Sequence, residues 1–178
     1  MNITGGKYNN RKVLVPDESI ARPTLSKVRM GIFNTLYSLI DFEGKLFLDV
    51  FGGSGVMGLE AISRGFSKVL IFEKNKTAVQ IIKTNYGAFG LKANIIVGDS
   101  LKLLSKIDEK FDVVYIDPPY FSGIYEEVLS KLKLVLKPES IIITESVTEI
   151  DYDKNVYELI KIKTYGDKII TFLHALNC

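Results

Sequence analysis

The chain has 178 residues and a mass of 20.0 kDa, which is the size of one domain with a core of its own. Its composition, 47% hydrophobic and 25% charged, is ordinary for a water-soluble protein, and no apolar run approaches the roughly 20 residues that a membrane-spanning helix needs. The N-terminus lacks the apolar core of a signal peptide, and the only cysteine is Cys178. Disulfides within the chain are therefore excluded, and we expect a reducing cytoplasm as the setting.

The charge of the chain is unevenly distributed. Residues 1–30 carry six basic and two acidic side chains, a net charge of +4, so the remaining residues carry −2 of the formal total of +2. A basic leading segment fits a phosphate-facing edge as well as it fits a solvated basic face. We predict one domain over 1–178, with a basic N-terminal extension over 1–22 and a core over 23–178.

The first 40 residues predict a small hairpin followed by a helix. Two short extended pieces flank the glycine pair at 5–6, and the second piece covers 12–15. From Pro23 onward, apolar residues recur every three or four positions as far as Ile40, and Pro23 followed by Thr24 is a good helix start. This region is therefore expected to form an amphipathic helix.

Beyond residue 44, short apolar strands alternate with helical stretches. The predicted strands cover 46–50, 68–72, 94–97, 113–116 and 140–144, and the predicted helices cover 56–64, 76–89, 101–105 and 123–136. Strands that are apolar at successive positions are buried on both faces, as in a parallel sheet wrapped by helices. Two last strands, 156–164 and 168–176, are joined by a turn so short that they must be antiparallel. The predicted fold class is α/β, with a doubly wound, mainly parallel seven-stranded sheet, an antiparallel C-terminal edge hairpin, and the N-terminal hairpin and helix as an extension.

A glycine-rich segment follows the first predicted strand. Asp49 ends that strand, and the segment 51–55 leads into a helix whose first amide groups are free to bind a ligand. Residues 53–58 satisfy the G-x-G-x-x-G pattern, and Glu73 ends the next strand about 20 residues further on, where a ribose partner belongs. Taken alone, this pattern suggests a nicotinamide cofactor.

Acidic residues at three strand ends favour a different cofactor. Asp49 would repel a pyrophosphate, yet it could accept hydrogen bonds from the ammonium group of S-adenosylmethionine. Glu73 then suits the ribose, and Asp99 can reach the adenine amino group. Each acid could instead only cap a helix or turn, but three of them behind a glycine loop favour a binding site. The predicted S-adenosylmethionine site comprises Asp49, Phe51, Gly52, Gly53, Ser54, Gly55, Glu73, Lys74, Asp99 and Ser100.

The fourth predicted strand runs into the tetrapeptide Asp117, Pro118, Pro119 and Tyr120. Adjacent prolines fix the backbone and donate no amide hydrogens, so carbonyl groups there are held outward as acceptors. Asp117 and the Pro118 carbonyl could each accept one hydrogen of an exocyclic amine, and Tyr120 offers a face on which a base can stack. A plain Pro-Pro turn is the alternative, but the preceding buried strand and the glycine loop favour methyl transfer to an amino nitrogen by these four residues.

Other functions stay open on the residues alone. A DNA adenine or cytosine amino-methyltransferase shares the tetrapeptide but would need further sequence for target recognition. A nicotinamide-dependent oxidoreductase fits the glycine loop but leaves Asp117 without a role, and an inactive RNA-binding module explains only the basic segment. A protein-glutamine methyltransferase would have asparagine in place of Asp117. With one cysteine and His174 as the single histidine, a metal site or a Cys/His nucleophile pair has little support, and we predict no metal.

Seven short motifs together carry a family resemblance. They are Arg22-Pro23-Thr24, Val28-Arg29, Phe33-Asn34, Leu48 to Gly55, Gly58-Leu59-Glu60-Ala61, Ser63-Arg64-Gly65 and Asp117-Pro118-Pro119-Tyr120. In these motifs the chain resembles the RsmD-type family, whose members are class I S-adenosylmethionine-dependent methyltransferases with a Rossmann-like fold. The resemblance implies methylation of the N2 amino group of a guanine in 16S ribosomal RNA of the small ribosomal subunit.

The resemblance also has implications for partners and for the basic residues. It implies that Arg22, Thr24 and Arg29 lie near the mouth of the active site, and together with Arg11 these are the predicted RNA-binding residues. The implied partner is 16S ribosomal RNA within a small-subunit particle, presented with the target guanine unstacked. We further expect a monomeric, cytoplasmic enzyme with no membrane association.

Overall fold

A seven-stranded sheet with helices on its faces forms the protein, whose computed structural model describes residues 1–17, 24–119 and 123–176. The strands are β1 (Leu46–Asp49), β2 (Lys68–Glu73), β3 (Ile95–Val97), β4 (Phe111–Ile116), β5 (Leu136–Ser146), β6 (Tyr157–Tyr165) and β7 (Lys168–Ala175). The α-helices are α1 (Ser26–Tyr37), α2 (Val56–Arg64), α3 (Lys76–Ala88), α4 (Ser100–Leu103) and α5 (Tyr125–Leu132). Within the described ranges, no helix has the length and apolar character to cross a membrane.

The strand order is β3-β2-β1-β4-β5-β7-β6. β1 pairs in parallel with β2 and β4, β2 with β3, and β4 with β5. β7 lies antiparallel between β5 and β6. The predicted fold class is confirmed. Because the chain leaves β1 in one direction and returns to its other side at β4, the order reverses there, and a ligand crevice opens at the carboxyl ends of strands at such a point.

Apolar side chains form two buried clusters. Successive residues of the central strands point alternately into one cluster and then the other. Phe47 of β1 packs with α1, α2 and α3, whereas its neighbour Leu48 packs with α4 and α5. Val113 and Val114 of β4 divide in the same way. Because side chains of a strand point to opposite faces in turn, this division explains why the strands read as continuous apolar runs.

Several element boundaries differ from those expected from the sequence. α2 covers residues 56–64, as predicted. α1, by contrast, begins at Ser26 and ends at Tyr37, before the expected end at Ile40. α5 ends at Leu132 because the chain beyond it joins β5, which begins at Leu136 and is longer than predicted. Pro23, the predicted helix start, lies outside the described residues.

The N-terminal hairpin is smaller than predicted. It reduces to one antiparallel bridge between Asn2 and Lys12, around a 3₁₀ turn at Gly6–Tyr8. The predicted strand over 12–15 does not form, because the backbone of Leu14 bonds to a side chain instead. Its N–H donates to Asn85 Oδ1 at 2.8 Å, and its carbonyl accepts from Asn85 Nδ2 at 2.9 Å.

A buried ion network fastens the N-terminal segment and α1 to α2. Glu60 of α2 is fully buried and accepts from Arg29 Nε at 2.9 Å, from Arg64 and from the backbone N–H of Thr4 at 2.9 Å. Arg29 also donates to the Thr24 carbonyl and, at 2.6 Å, to the Asn2 carbonyl. The prediction that Arg29 binds RNA is wrong, because its side chain is only 1% exposed and its guanidinium is committed to these partners.

This network generates a stability prediction. Glu60→Ala removes the carboxylate but leaves the guanidinium of Arg29 buried without its anion, so we expect the free energy of unfolding to fall by roughly 3–5 kcal/mol in urea titrations. Glu127→Ala is the matched control, since it also breaks an i,i+4 pair, with Lys131 on the surface. That loss should stay below about 1 kcal/mol. Similar losses for the two variants would contradict the role given to the network.

Candidate active site

A cavity of about 390 Å³ opens where β1, β2 and β4 end. Its volume falls within the range of small-molecule sites. The sequence-predicted residues in its wall are Asp49, Phe51, Gly52, Gly53, Ser54, Glu73, Lys74, Asp99, Ser100, Asp117, Pro118 and Pro119, joined by Thr24 from the predicted RNA-binding set. The fold therefore brings together sequence-predicted residues that lie up to 95 positions apart in the chain, from Thr24 to Pro119. Tyr120 and Arg22 lie outside the described residues.

The glycine loop makes a tight turn from β1 into α2. The N–H of Gly55 donates to the Gly52 carbonyl at 2.7 Å, and Gly53 and Gly55 have positive φ angles of 54° and 74°. Only glycine adopts such angles without strain. Gly55 precedes α2 as its N-cap and, unlike its neighbours, does not line the cavity. The turn thus leaves Gly52, Gly53 and Ser54 in the cavity wall.

Glu73 fixes the loop from the end of β2. Its Oε2 accepts from the N–H of Gly53 at 2.8 Å, and its Oε1 accepts from the N–H of Asn75 at 2.7 Å. A carboxylate has about four acceptor positions, so these two bonds leave Glu73 able to accept hydrogen bonds from a ligand. Lys74 follows Glu73 and is exposed at the rim.

Asp99 and Ser100 both have structural partners. The Asp99 side chain caps α4 by accepting from the N–H of Lys102 at 3.2 Å, and the Ser100 hydroxyl donates to the Val50 carbonyl at 2.6 Å. The capping interpretation of Asp99 therefore holds. It does not compete with a binding role, because Asp99 is exposed and lies in the cavity wall.

Asp49 is a buried carboxylate at the bottom of the site. Only 1% of the residue is exposed, and its Oδ1 accepts from the N–H of Phe51 at 3.3 Å. Burial raises the pKa of Asp49 to about 7, against the opposing effect of the Phe51 amide and with a further rise from the charge of Glu73. Among the described residues no ion pair includes Asp49. A ligand cation would therefore offset the unfavourable free energy of burying its charge.

Asp117 stands at the opposite side of the reversal point, after β4. Burial raises its pKa well above the ordinary value, with the charge of Glu145 acting in the same direction. The ammonium of Lys168 lowers the pKa of Asp117, and the charge of Asp49 raises it again. Pro118 is buried and Pro119 exposed, and both line the cavity.

Sequence reasoning missed a hydrogen-bonded cluster beside Asp117. Glu145, buried at the end of β5, accepts from the Tyr115 hydroxyl at 2.7 Å and pairs with Lys168 Nζ at 3.1 Å. The Thr24 and Tyr115 hydroxyls lie 3.3 Å apart. Thr24, Tyr115 and Lys168 all line the cavity, with Glu145 behind them.

One of these residues had a usable signal in the sequence. Glu145 directly follows the predicted strand 140–144, and it repeats the pattern of an acid after a strand that identified Asp49, Glu73 and Asp117. Lys168 and Tyr115 had none, because a lysine after a turn and a tyrosine within a strand are unremarkable in sequence.

Arg11 lies on the surface next to exposed backbone of α3. Its guanidinium sits 4.2 Å from the ring centroid of Phe89 and donates to the Ala88 carbonyl, while the ring of Tyr8 meets Phe89 edge-on at 5.1 Å. The side chain remains exposed. In the described part of the chain, no His, Cys, Asp and Glu side chains are grouped so as to hold a metal ion.

A parallel sheet in this order, with its final strand inserted antiparallel beside β5, is the fold of the class I methyltransferases, whose methyl donor is S-adenosylmethionine. The family model described as "Conserved hypothetical protein 95" matches residues 1–174, and the chain belongs to that family.

Individual relatives agree with this membership. The chain is 32% identical to the "Ribosomal RNA small subunit methyltransferase D" of Escherichia coli K12, over 84% of this chain and 76% of that protein. It is 33% identical to the protein of the same name from Haemophilus influenzae, over 93% of this chain and 89% of the relative. The solved structure of "Putative methyltransferase yhhF" from Escherichia coli superposes with a TM-score of 0.86 at 28% identity, covering 98% of this chain and 97% of the other.

The raised pKa of Asp49 predicts that this residue destabilises the ligand-free protein above neutral pH. Because the folded-state pKa of about 7 exceeds the ordinary 3.8, the contribution of Asp49 to stability falls as pH rises through that window. Asp49→Asn should therefore raise the free energy of unfolding at pH 8 by roughly 1–4 kcal/mol, while weakening the binding of S-adenosylhomocysteine. Urea unfolding and calorimetric titration measure the two effects.

The same variant at pH 4.5 serves as its own control. Asp49 is protonated there in the folded protein, so most of the stability gain should disappear. An equal gain at pH 4.5 and pH 8 would mean that the substitution acts through packing.

Proposed function

We propose that this protein transfers a methyl group from S-adenosylmethionine to the N2 amino group of a guanine in 16S ribosomal RNA. The observation that carries the proposal is the position of Asp117, Pro118 and Pro119 in the same cavity wall as Asp49 and the glycine loop. A cofactor pocket is thereby joined to a set of hydrogen-bond acceptors that suits an amine. The relatives named for ribosomal RNA of the small subunit support the substrate.

The cavity wall suits the cofactor in three places. Asp49, a buried carboxylate with no cationic partner in the described ion pairs, would take the ammonium group. Glu73 has acceptor positions left for the ribose hydroxyls, and Asp99 would accept from the adenine amino group. The loop at 51–55, with Lys74 and Ser100 beside it, would enclose the ligand. When bound, S-adenosylmethionine supplies an electrophilic methyl group.

Asp117 and the Pro118 carbonyl would prepare the attacking amine. The lone pair of an exocyclic amine is delocalised into the base, which makes the nitrogen a poor nucleophile. Two acceptors that each accept a hydrogen bond from one amine N–H would orient the lone pair of the nitrogen toward the methyl group. A bond from the nitrogen to the methyl carbon would form as the bond from that carbon to the sulfonium sulfur breaks, with S-adenosylhomocysteine as the leaving group. The nitrogen would also lose one proton, which Asp117 is suited to accept because burial raises its pKa. No covalent bond between enzyme and substrate is required.

The base must leave its stack to reach this cavity. Tyr120 would offer the face on which the guanine stacks; it lies outside the described residues, and the proposal rests on its place next to Pro119. Stacking of this kind contributes roughly 1–3 kcal/mol per base in nucleic-acid complexes.

The exposed Arg11 would contact phosphates of the RNA, and Arg22 and Thr24 would lie at the mouth of the site. Arg11 is held against Phe89 and Tyr8, so its charge is presented in a fixed direction. We propose that the enzyme acts as a monomer in the cytoplasm on a small-subunit particle, which would supply the folded RNA around the target guanine.

Nucleoside mass spectrometry of 16S ribosomal RNA tests the function directly. Cells without this protein should lose one N2-methylguanosine, and the wild-type protein should restore it fully whereas Asp117→Ala should restore less of it. If N2-methylguanosine were unchanged at every site, the guanine assignment would fail and the reaction class would remain to be tested on other amino groups.

Purified Asp117→Ala should separate chemistry from cofactor binding. Removing one acceptor from the amine should slow single-turnover methyl transfer roughly ten- to a hundredfold, with S-adenosylhomocysteine bound as tightly as before. Asp108→Ala is the matched control, since Asp108 is exposed and precedes the opposite end of β4. Loss of S-adenosylhomocysteine binding in Asp117→Ala would show that its role is assigned wrongly.

A further inference from the structure

Lys168 brings a mostly buried cation into the active-site wall from β7, the strand between β5 and β6. It is the first residue of β7, directly after the turn that joins β6 to β7. Only 12% of its side chain is exposed, and Nζ lies 3.1 Å from Glu145 Oε1. Burying an ammonium is unfavourable unless it is paired, so this lysine is held where its charge acts on its neighbours.

Glu145 connects Lys168 of β7 to Tyr115 of β4. Its Oε1 pairs with Lys168, and its Oε2 accepts from the Tyr115 hydroxyl at 2.7 Å. Glu145 itself is only 2% exposed and does not line the cavity, whereas Lys168 and Tyr115 do. The carboxylate of Glu145 therefore serves to hold two polar groups in the wall rather than to meet a ligand.

Three strands bring charged groups to the part of the cavity where Asp117 lies. Asp117 and Glu145 each directly follow the last paired row of β4 and β5, in which Ile116 pairs with Thr144, and Asp49 on β1 and Lys168 on β7 line the same cavity as Asp117. The Tyr115 and Thr24 hydroxyls complete the surroundings as neutral groups. Three carboxylates around one cavity disfavour the ionised form of each other unless a cation offsets their charge. In the described residues, Lys168 is the cation whose charge opposes protonation of Asp117.

We propose that Lys168 is a positioning residue whose charge favours the ionised form of Asp117, so that both amine-facing acceptors of the site remain acceptors. The inference rests on the proposed function, in which Asp117 accepts an amine hydrogen. A protonated Asp117 would present a hydroxyl donor to the amine and lose that acceptor. Lys168 acts through charge and through Glu145, without touching the transferred group.

The ionisation of Asp117 can be measured without RNA or cofactor. In protein labelled with ¹³C at the aspartate carboxyl carbons, the Asp117 resonance is identified by its absence in Asp117→Asn and then titrated with pH. Lys168→Met should raise the titration midpoint of Asp117 by about one to two pH units, and Glu145→Gln should lower it. Lys161→Met, which removes an exposed lysine of the adjacent strand β6, should leave the midpoint unchanged.

Opposite shifts separate this role from a structural one, since damage to packing would move both variants in one direction. An unchanged midpoint in Lys168→Met, or equal shifts in Lys168→Met and Glu145→Gln, would overturn the proposal. If Lys168→Met did not fold, Lys168→Gln would take its place: a higher midpoint supports the proposal, and an unchanged or lower midpoint refutes it.

Kinetics supply the second readout. Lys168→Met should lower kcat at pH 7 at least tenfold while the KM for S-adenosylmethionine stays the same, and the rate should recover as pH is raised. Lys168→Arg keeps the charge and should restore most of the rate. A loss in Lys168→Met that is equal at every pH would also refute the proposal. Absence of methyl transfer by the wild-type protein would count only against the proposed function, because the titration is read without substrate.

Discussion

Parallel pairing of β1 with both β2 and β4 is the constraint on which the site depends. In this register Asp49 lies opposite Ile71 on one side and Tyr115 on the other. Glu73 lies two residues after Ile71, and Asp117 lies two residues after Tyr115. Each acid therefore lies on the same face of its strand as the residue that pairs with Asp49, beyond the last row that pairs with β1. The strand ends thereby set Asp49, Glu73 and Asp117 around one crevice, and the bond from the Gly53 N–H to Glu73 fixes the glycine loop beside them.

The antiparallel hairpin at the sheet edge completes the site with groups that the parallel strands do not supply. Ile170 of β7 pairs with Glu145 of β5. Lys168 lies two residues before Ile170 and thus on the same face, as a diagonal neighbour within reach of a long side chain. The ammonium offsets the excess of carboxylates at the carboxyl ends of the strands. In an all-parallel sheet the last strand would begin at the opposite end of the sheet, away from the carboxyl ends of the other strands.

The buried network around Glu60 links the N-terminal segment to the active site. Arg29 donates to the Thr24 carbonyl, and the Thr24 hydroxyl lies beside that of Tyr115 in the cavity wall. Desolvating two guanidinium groups and a carboxylate is unfavourable by itself, and the network is maintained by the many hydrogen bonds that each group makes. Its structural effect is to fix the N-terminal segment, whose regular structure within residues 1–17 consists of one antiparallel bridge and one 3₁₀ turn.

The sequence by itself determined the fold class, most strand positions and the segments that meet in the cavity, because apolar periodicity, glycines and acids at strand ends are local signals. It did not determine which charges are buried. Arg29 was expected at the RNA surface but lies in the core, and Lys168 gave no signal yet lies beside Asp117. Whether a basic side chain faces solvent, a carboxylate or a cavity depends on strand order and helix packing, which bring distant residues together. Only the tertiary structure decided those pairings, since charges interact through space and not along the chain.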